Sequence, residues 1–173
     1  MPTKKGAGGR QQNYNPRTGR YVKTDYLSLF TKPQLSKKEK ARQREKERRE
    51  FLFNRAKNSR DEYLFDVYCE IEKAFPGTVL HVNEKRFDPF INSPREFDII
   101  TKKCIIEVKS ATNFRKALNQ FLAQKRYAES INKTHIVVAP QMPSMAIFNF
   151  KQHGIKIVKD HLSLINLMKE YEK

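Results

Sequence analysis

Two carboxylates and a lysine lie close together in residues 95–110, which read REFDIITKKCIIEVKS. Asp98 comes first, Glu107 follows on the next apolar run, and Lys109 lies two positions after Glu107. Carboxylate oxygens are the hard ligands that Mg2+ prefers, and a neighbouring ammonium group can orient or activate a water molecule. These residue types at this spacing predict metal-dependent hydrolysis of a phosphodiester.

The runs that carry these residues have the composition of strands. Residues 104–108 (CIIEV) are apolar apart from Glu107, so they predict a buried strand whose carboxylate needs a partner. Because side chains alternate along a strand, Glu107 and Lys109 are expected on one face, and Asp98 can reach that face across the hairpin. The alternative is an exposed cross-strand salt bridge, worth ~0–1 kcal/mol. Apolar neighbours on both faces favour the catalytic interpretation.

The length and the charge distribution indicate a compact domain with a cationic arm. A chain of 173 residues predicts one domain and a short appendage. The net charge is +16, and residues 1–57 hold 17 Lys and Arg against 5 Asp and Glu. Such an arm indicates a polyanionic partner, and we expect nucleic acid, DNA in preference to RNA. A membrane partner is not expected, because the arm lacks an apolar stripe beside its charges.

Several other classes of protein are disfavoured by composition. Cys69 and Cys104 lie in apolar runs and predict core thiols in a reducing compartment. The basic N-terminus is not followed by an apolar segment, and no run approaches the ~20 apolar residues of a membrane span. We therefore expect a cytoplasmic protein. The histidines have no zinc-ligand spacing, and there is no glycine-rich loop of the kind that binds nucleoside triphosphates.

Apolar periodicity predicts an α/β fold with three segments. Residues 1–35 are expected to be a flexible, disordered basic tail, residues 36–57 a basic helix that begins with a capping box, and residues 58–173 the folded domain. In that domain the pattern predicts helices at 60–75, 112–131, 143–152 and 161–172, and strands at 79–82 (extending as far as 87), 96–101, 103–109, 134–140 and 155–158. A loop with Pro89 and Pro94 is expected before the second strand. This αβββαβ order, followed by αβα, predicts a mixed central sheet with helices on both sides.

The αβββαβ order with Asp98-x8-Glu107-x-Lys109 on its second and third strands resembles the PD-(D/E)XK nuclease superfamily, whose core is the restriction endonuclease-like fold. The resemblance covers about residues 60–140. This superfamily includes restriction enzymes, Holliday-junction resolvases and phage or toxin DNases. The resemblance implies Mg2+, with Mn2+ as a substitute, held by Asp98, Glu107 and the backbone carbonyl of Val108. It also implies that Lys109 positions the attacking water.

The resemblance extends to the helix that follows these strands. Gln120, Gln124 and Tyr127 lie at i, i+4 and i+7, so one helical face can present all three. Many members of the superfamily place Gln and Tyr side chains beside the site, and Gln124 is the catalytic candidate that this implies. The alternative is the ordinary polar flank of an amphipathic helix.

Two features of the motif remain open. Pro94 lies four residues before Asp98 rather than directly before it, which departs from the usual pattern. The superfamily often carries another metal-binding acid on its first helix, and here Asp61 or Glu62 could serve. Asp61 is in phase with the apolar face of the helix, whereas either residue could simply be an acid favoured by the helix dipole.

The function that follows is a Mg2+-dependent nuclease, an endonuclease rather than an exonuclease, of phage, mobile-element or toxin type. The alternative is a noncatalytic nucleic-acid-binding or assembly protein with the same fold. A homodimer is expected if both strands of a duplex are cut. The residues expected to contact nucleic acid are Arg17, Arg20, Lys40, Arg44, Arg48, Gln120, Lys125 and Tyr127.

Overall fold

The computed structural model describes residues 12–15, 20–23, 35–110 and 117–172. The chain divides into two compact units, residues 1–44 and 45–173. The first unit contains two short antiparallel strands, β1 (Gln12–Asn15) and β2 (Arg20–Lys23). These strands lie within residues 1–35, which the composition predicts to be a flexible tail, and apart from residue 35 the rest of that segment lies outside the described residues.

The second unit contains the main sheet, and the predicted order of elements is confirmed. The strands are β3 (Val79–Asp88), β4 (Ser93–Thr101), β5 (Cys104–Val108), β6 (Thr134–Val138) and β7 (Lys156–Val158). Helix α1 (Lys37–Lys57) crosses the boundary between the two units, and the second unit contains the helices α2 (Glu62–Ala74), α3 (Ala117–Ser130), α4 (Ser144–Gln152) and α5 (His161–Met168). The predicted capping box is present at the start of α1, where Ser36 and Glu39 each accept a backbone N–H from the other.

The sheet is mixed, as predicted, with strand order β3-β4-β5-β6-β7. The first three strands form an antiparallel meander, whereas β5, β6 and β7 are parallel. Parallel strands require crossovers, and α3 and α4 supply them. Strand β6 is almost wholly buried, in agreement with its continuous apolar run.

Helices cover both faces of this sheet. On β5, Cys104, Ile106 and Val108 pack in one apolar cluster with residues of α2 and α5, whereas Ile105 packs with residues of α3. On β6, Val137 lies in the cluster that contains residues of α3 and α4. Alternate side chains therefore enter opposite layers, as the pleat requires. The architecture is a three-layer α/β sandwich.

The hairpin of β3 and β4 is longer than the sequence predicts. Strand β3 continues to Asp88, and Pro94, predicted in a loop, lies in β4 opposite Phe87. Strand β5 pairs with β4 only at Ile99 and Ile100, so β4 has a paired neighbour on one side alone at Pro94. Proline is tolerated at such a position because no ladder hydrogen bond is lost there. The hairpin therefore projects past the carboxyl end of β5.

Helix α5 is shorter than the predicted 161–172, since it ends at Met168. The residues after it turn back to the sheet, where the Glu172 carboxylate accepts from the Thr101 hydroxyl and from the Lys103 N–H at 3.0 Å. Helix α2 begins at Glu62 rather than at residue 60. Helix α3 is described from Ala117 onward, and the predicted helical residues 112–116 lie outside the described residues.

Candidate active site

Asp98 lies where strands β4 and β5 separate. The last paired position of the two strands is Ile99 with Ile106. One residue beyond it, Oδ2 of Asp98 accepts a hydrogen bond of 2.7 Å from the Val108 N–H. The Asp98 carboxylate thus accepts a hydrogen bond from the β5 backbone at the point where the backbone pairing of β4 with β5 ends. This contact holds the Asp98 carboxylate at the carboxyl end of β5.

Glu107 is held from the side of α3. Its side chain is buried, at 7% exposure, on a strand that is buried along its whole length. Gln120 donates to Oε1 at 2.8 Å, and Gln124 donates to Oε2 at 2.7 Å. The two glutamines therefore lie on one face of α3 and fix the orientation of the carboxylate. The side-chain carbonyl oxygen of Gln124 is buried and has no hydrogen-bond partner in the described part of the chain.

The two carboxylates have strongly perturbed protonation. Burial and, to a smaller extent, the charge of Asp98 together raise the pKa of Glu107 to about 8, against the hydrogen bond from Gln124. Burial likewise raises the pKa of Asp98 to about 6, against the hydrogen bond from the Val108 N–H. Within residues 35–110 and 117–172, neither carboxylate has an ion pair within 4.0 Å. The buried Glu107 carboxyl thus lies near the half-buried Asp98 carboxyl, and neither group has a directly paired cation.

Lys109 follows directly after β5. Its backbone N–H donates to the Val138 carbonyl at 2.8 Å, which continues the parallel pairing of β5 with β6 by one bond. Its positive charge lowers the pKa of both Asp98 and Glu107. Among the described residues it forms no ion pair within 4.0 Å. Its ammonium group therefore acts on the two carboxylates through their shared field rather than through a direct pair.

Asp61 connects the start of α2 to this end of the sheet. It is the N-cap of α2, with Oδ1 accepting from the Tyr63 N–H at 3.0 Å. Its other oxygen accepts from the Ser110 hydroxyl at 2.6 Å, and its charge raises the pKa of Asp98. Glu62 instead opens the helix. Both residues line a cleft of about 530 Å³ together with Arg60, Tyr63 and Ser110. Of the two candidate acids, Asp61 is the one that contacts the end of β5.

The residues at this site fit a small divalent cation. Asp98 and Glu107 supply hard oxygen donors, and the charge of a cation would relieve the repulsion between them. The unpartnered carbonyl oxygen of Gln124 lies next to Glu107 as a further polar group. In the described part of the chain, no three His, Cys, Asp or Glu side chains are grouped to hold a metal. The predicted donors are Asp98, Glu107 and the Val108 carbonyl, with Asp61 or Glu62 as a further acid, and among the described residues neither of these acids is grouped with the other two carboxylates.

The predicted nucleic-acid contacts on α1 differ in their availability. Lys40 and Arg44 are exposed. Arg48 is half-buried, and its guanidinium donates to the Glu45 carboxylate and to the Val79 carbonyl, the latter at 2.8 Å. Arg48 thus anchors α1 to β3, and its donors are already engaged. Lys40 and Arg44 remain the candidates on this helix for contacts to phosphate.

The predicted contacts on α3 also differ from the expectation. The Tyr127 ring is 6% exposed and stacks on Phe97, with 4.7 Å between ring centroids. A ring buried in this way is part of the core, so we do not propose that Tyr127 contacts nucleic acid. The Lys125 ammonium lies 3.8 Å from the Glu129 carboxylate and 3.5 Å from the His153 carbonyl. Lys125 therefore bridges α3 to the end of α4.

Two further predicted contacts fall in the first unit. Arg17 lies outside the described residues, and Arg20 lies on β2, where the side chains are not described.

Sequence reasoning missed Arg95 on β4, whose charge lowers the pKa of Glu107 and which pairs with the buried Asp88 at 2.8 Å. The position of Arg95 depends on the pairing of β3 with β4, and the local sequence around Arg95 does not predict that pairing.

No helix in the described part of the chain is long and apolar enough to cross a membrane. No protein-family model matches the chain. No curated protein matches it, and neither does any solved structure. The residues and geometry at the carboxyl end of β5 are therefore the basis for inferring a function.

Proposed function

We propose that the protein is a Mg2+-dependent nuclease of the PD-(D/E)XK superfamily that hydrolyses phosphodiester bonds of nucleic acid, DNA in preference to RNA. The observation that carries the proposal is the pair formed by the buried Glu107 carboxyl and the half-buried Asp98 carboxyl, where the adjacent strands β4 and β5 separate. Both have raised pKa values, and in the described residues neither has a direct cationic partner. A structural ion pair would bring a cation into contact, whereas a site for a bound metal leaves that position open.

The order of elements supports the same proposal. The helix, meander, crossover helix and parallel strand form an αβββαβ series within a mixed sheet. The carboxylates lie on the second and third strands of this series, and the helix that follows supplies Gln120 and Gln124. The restriction endonuclease-like core is the arrangement that we infer for this series.

In the proposed reaction each residue has a separate task. Asp98, Glu107 and the Val108 carbonyl would hold Mg2+ or Mn2+, and the bound cation would supply an acidified water and charge neutralisation at the phosphate. Lys109 would orient the water and stabilise negative charge on the phosphate oxygens. Gln124 keeps the Glu107 carboxylate in one orientation, which preserves the geometry that in-line attack requires.

The cationic arm supplies affinity for the substrate. Contacts between Lys or Arg and phosphates release condensed counterions and act on any sequence. Lys40 and Arg44 are exposed on α1 and can make such contacts. We therefore expect binding that weakens as the salt concentration rises and that depends little on base sequence.

One observation favours the alternative of a noncatalytic nucleic-acid-binding or assembly protein. Both oxygens of Glu107 already accept a hydrogen bond from an amide of α3. A carboxylate satisfied in this way can serve the packing of α3 on the sheet without any metal. Each oxygen keeps a second lone pair, however, so the same contacts are compatible with metal ligation.

Cleavage assays separate the two functions. Supercoiled plasmid, linear duplex, branched DNA and single-stranded DNA and RNA would be incubated with the protein in Mg2+, in Mn2+ and with a chelator. We expect cleavage that requires the metal and that is lost in Asp98→Asn. The matched control is Asp66→Asn, which removes an exposed carboxylate from α2. Metal-independent cleavage or equal activity of both variants would contradict the proposed metal-dependent mechanism, and no cleavage of any substrate would favour the noncatalytic protein.

A further inference from the structure

The tip of the β3–β4 hairpin exposes three large apolar side chains. Phe87 is 61% exposed, Phe90 47% and Ile91 48%. Single exposed apolar residues are ordinary on a protein surface, but three within five residues form a patch that water solvates poorly. Such a patch on a turn marks a surface that contacts another molecule.

The turn that presents these side chains is held in one conformation. The Asp88 side chain is fully buried, and it accepts from the Phe90 N–H at 2.9 Å and from the Arg95 guanidinium at 2.8 Å. The Ile91 N–H donates to the Asp88 carbonyl at 3.3 Å, and Asn92 adopts a left-handed conformation with φ 48°. A buried ion pair thus fixes an apolar tip, and a fixed tip loses little conformational entropy when it binds.

The hairpin projects from the end of the sheet that holds the candidate site. Strand β4 runs from Ser93 at the tip to Asp98, and the hairpin extends past the carboxyl end of β5. At about 3.3 Å per residue, the tip lies roughly 17 Å from Asp98 along the strand. Stacked nucleotides lie about 3.4 Å apart along each strand of a duplex and an unpaired strand is more extended, so five nucleotides or fewer span this distance. A nucleic acid whose phosphate lies at Asp98 would therefore reach the tip.

The chemistry beside the tip suits nucleobases. The exposed Arg126 guanidinium lies 5.5 Å from the centroid of the Phe90 ring, and the exposed Lys85 on the same hairpin lies 4.0 Å from the Glu96 carboxylate. Aromatic rings next to arginine bind unpaired bases by stacking, and neighbouring cations follow the phosphate backbone. Paired bases in a duplex have their faces covered by their neighbours. The tip therefore matches unpaired bases of a polyanion, in a chain whose net charge is +16.

We propose that the hairpin tip, defined by Phe87, Phe90 and Ile91, stacks on unpaired bases a few nucleotides from the phosphate that is cut. This inference rests on the proposed function and narrows its substrate. The substrate is a nucleic acid with a single-stranded segment next to the cleavage site, such as a branch, a flap or a frayed end. Blunt duplex would be bound through its phosphates alone.

The chain contains no tryptophan, which permits a direct test of stacking. In Phe90→Trp, the new indole is the only one in the protein, and stacking on a base quenches its fluorescence. The matched control is Phe148→Trp on α4, a site that is 58% exposed. We expect a single-stranded oligonucleotide, or a duplex with a single-stranded flap, to quench Phe90→Trp strongly, and blunt duplex of the same sequence to quench it little. Phe148→Trp should change little with either ligand.

A second measurement does not depend on the indole. In Phe87→Ser/Phe90→Ser/Ile91→Ser, we expect the affinity for the flap substrate to fall about tenfold or more, while the affinity for blunt duplex stays the same. The buried Asp88–Arg95 pair is kept in this variant, so the turn should remain folded. Fluorescence anisotropy of labelled oligonucleotides at fixed salt measures both affinities.

The possible outcomes separate this inference from the nuclease proposal. Metal-dependent cleavage with equal quenching of the two tryptophan variants would overturn the stacking inference and leave the nuclease. Selective quenching of Phe90→Trp without cleavage of any substrate would support base stacking at the hairpin tip and count against nuclease activity. If Phe90→Trp emission instead shifts with protein concentration alone, and the triple variant loses a dimer in sedimentation, the tip is a self-association surface and the inference is wrong.

Discussion

The Glu107 carboxylate is costly to keep in the fold when no cation is bound. It is buried, it lies near the Asp98 carboxylate, and two amides are its hydrogen-bond donors. Amide donors orient a carboxylate, but they compensate its charge less than a cation does. Function explains such an arrangement better than stability does, because an uncompensated buried charge lowers the free energy of unfolding.

This cost leads to a prediction for Glu107→Gln. The pKa of Glu107 is about 8 in the folded protein and 4.5 in the unfolded chain, so the folded state binds the proton more tightly. The protonated carboxyl therefore contributes to the free energy of unfolding at low pH. This contribution is lost as the pH rises from 4.5 toward about 8. Without metal, Glu107→Gln should therefore be more stable than the wild type at about pH 8, by a few kcal/mol, and the difference should shrink as the pH falls.

Thermal denaturation with and without Mg2+ checks this prediction. Mg2+ should raise the unfolding midpoint of the wild type and leave that of Glu107→Gln unchanged, because ligand binding stabilises only the state that binds. Glu170→Gln, which removes an exposed carboxylate, is the control. An equal response of both variants to Mg2+ would mean that Glu107 is not a ligand.

Lys109 leads to a second prediction at the scale of a residue. If its ammonium group stabilises charge in the transition state, Lys109→Met should reduce the rate of cleavage about a hundredfold or more. Binding of nucleic acid should change only a few-fold, since many other cations contribute to it. Single-turnover cleavage and anisotropy measure the two effects, with the exposed Lys151→Met as control. Equal cleavage rates in the two variants would remove Lys109 from the mechanism.

At the scale of elements, α3 contributes to the pKa of Glu107 through a hydrogen bond. The Gln124 amide lowers the pKa of Glu107, against the larger effect of burial. In Gln124→Leu this donor is lost, so the pKa should rise further and the carboxylate should ionise only at higher pH. We expect the pH at which the rate of cleavage becomes half-maximal to rise, and the rate near neutral pH to fall about tenfold. Asn119→Leu, on the exposed side of the same helix, should not shift the profile.

Much of the order of elements could be predicted from local patterns. The alternation and apolar content of residues 104–108 and 134–138 are visible in the sequence, and both segments are buried strands. The spacing of Gln120 and Gln124 on a helix places both on one face, next to Glu107. These features depend on neighbours within a turn or a strand, so the sequence contains them.

The remaining differences depend on contacts between distant parts of the chain. Helix α5 ends at Met168, and Glu172 beyond it binds the turn between β4 and β5. The hairpin extends to Asp88 because that carboxylate pairs with Arg95 across the strands. Tyr127 stacks in the core because Phe97 lies opposite it. No local signal encodes these pairings, so a reading of periodicity misses them.

At the scale of the whole molecule, the buried His135 ring lowers the free energy of unfolding in acid. Its side chain is 4% exposed, and its ring nitrogens have no hydrogen-bond partner in the described structure. Burial, with the charges of Lys125 and Arg95, lowers its pKa to about 3. The unfolded chain takes up a proton near pH 6.5 and the folded chain does not, so stability is lost as the pH falls from 6.5 toward about 3.

His135→Leu should remove this loss. We expect the variant to exceed the wild type in free energy of unfolding at about pH 5 by roughly 1–3 kcal/mol, with a smaller difference at about pH 8. Urea denaturation at the two pH values measures the difference, and His153→Leu, at an exposed position, is the control. A difference that does not change with pH would show that the His135 ring is not the group responsible.

The proposed function assigns the chemistry to the Asp98 and Glu107 carboxyls, and Glu107 is the more deeply buried of the two. The most direct measurement is the initial rate of nicking of supercoiled plasmid in Mg2+ by the wild type, Glu107→Gln and Glu170→Gln. We expect Glu107→Gln to lose at least about a hundredfold in rate, and Glu170→Gln to match the wild type. Nicking by Glu107→Gln at the wild-type rate, or no nicking by the wild type in Mg2+ or Mn2+, would contradict a metal-dependent nuclease.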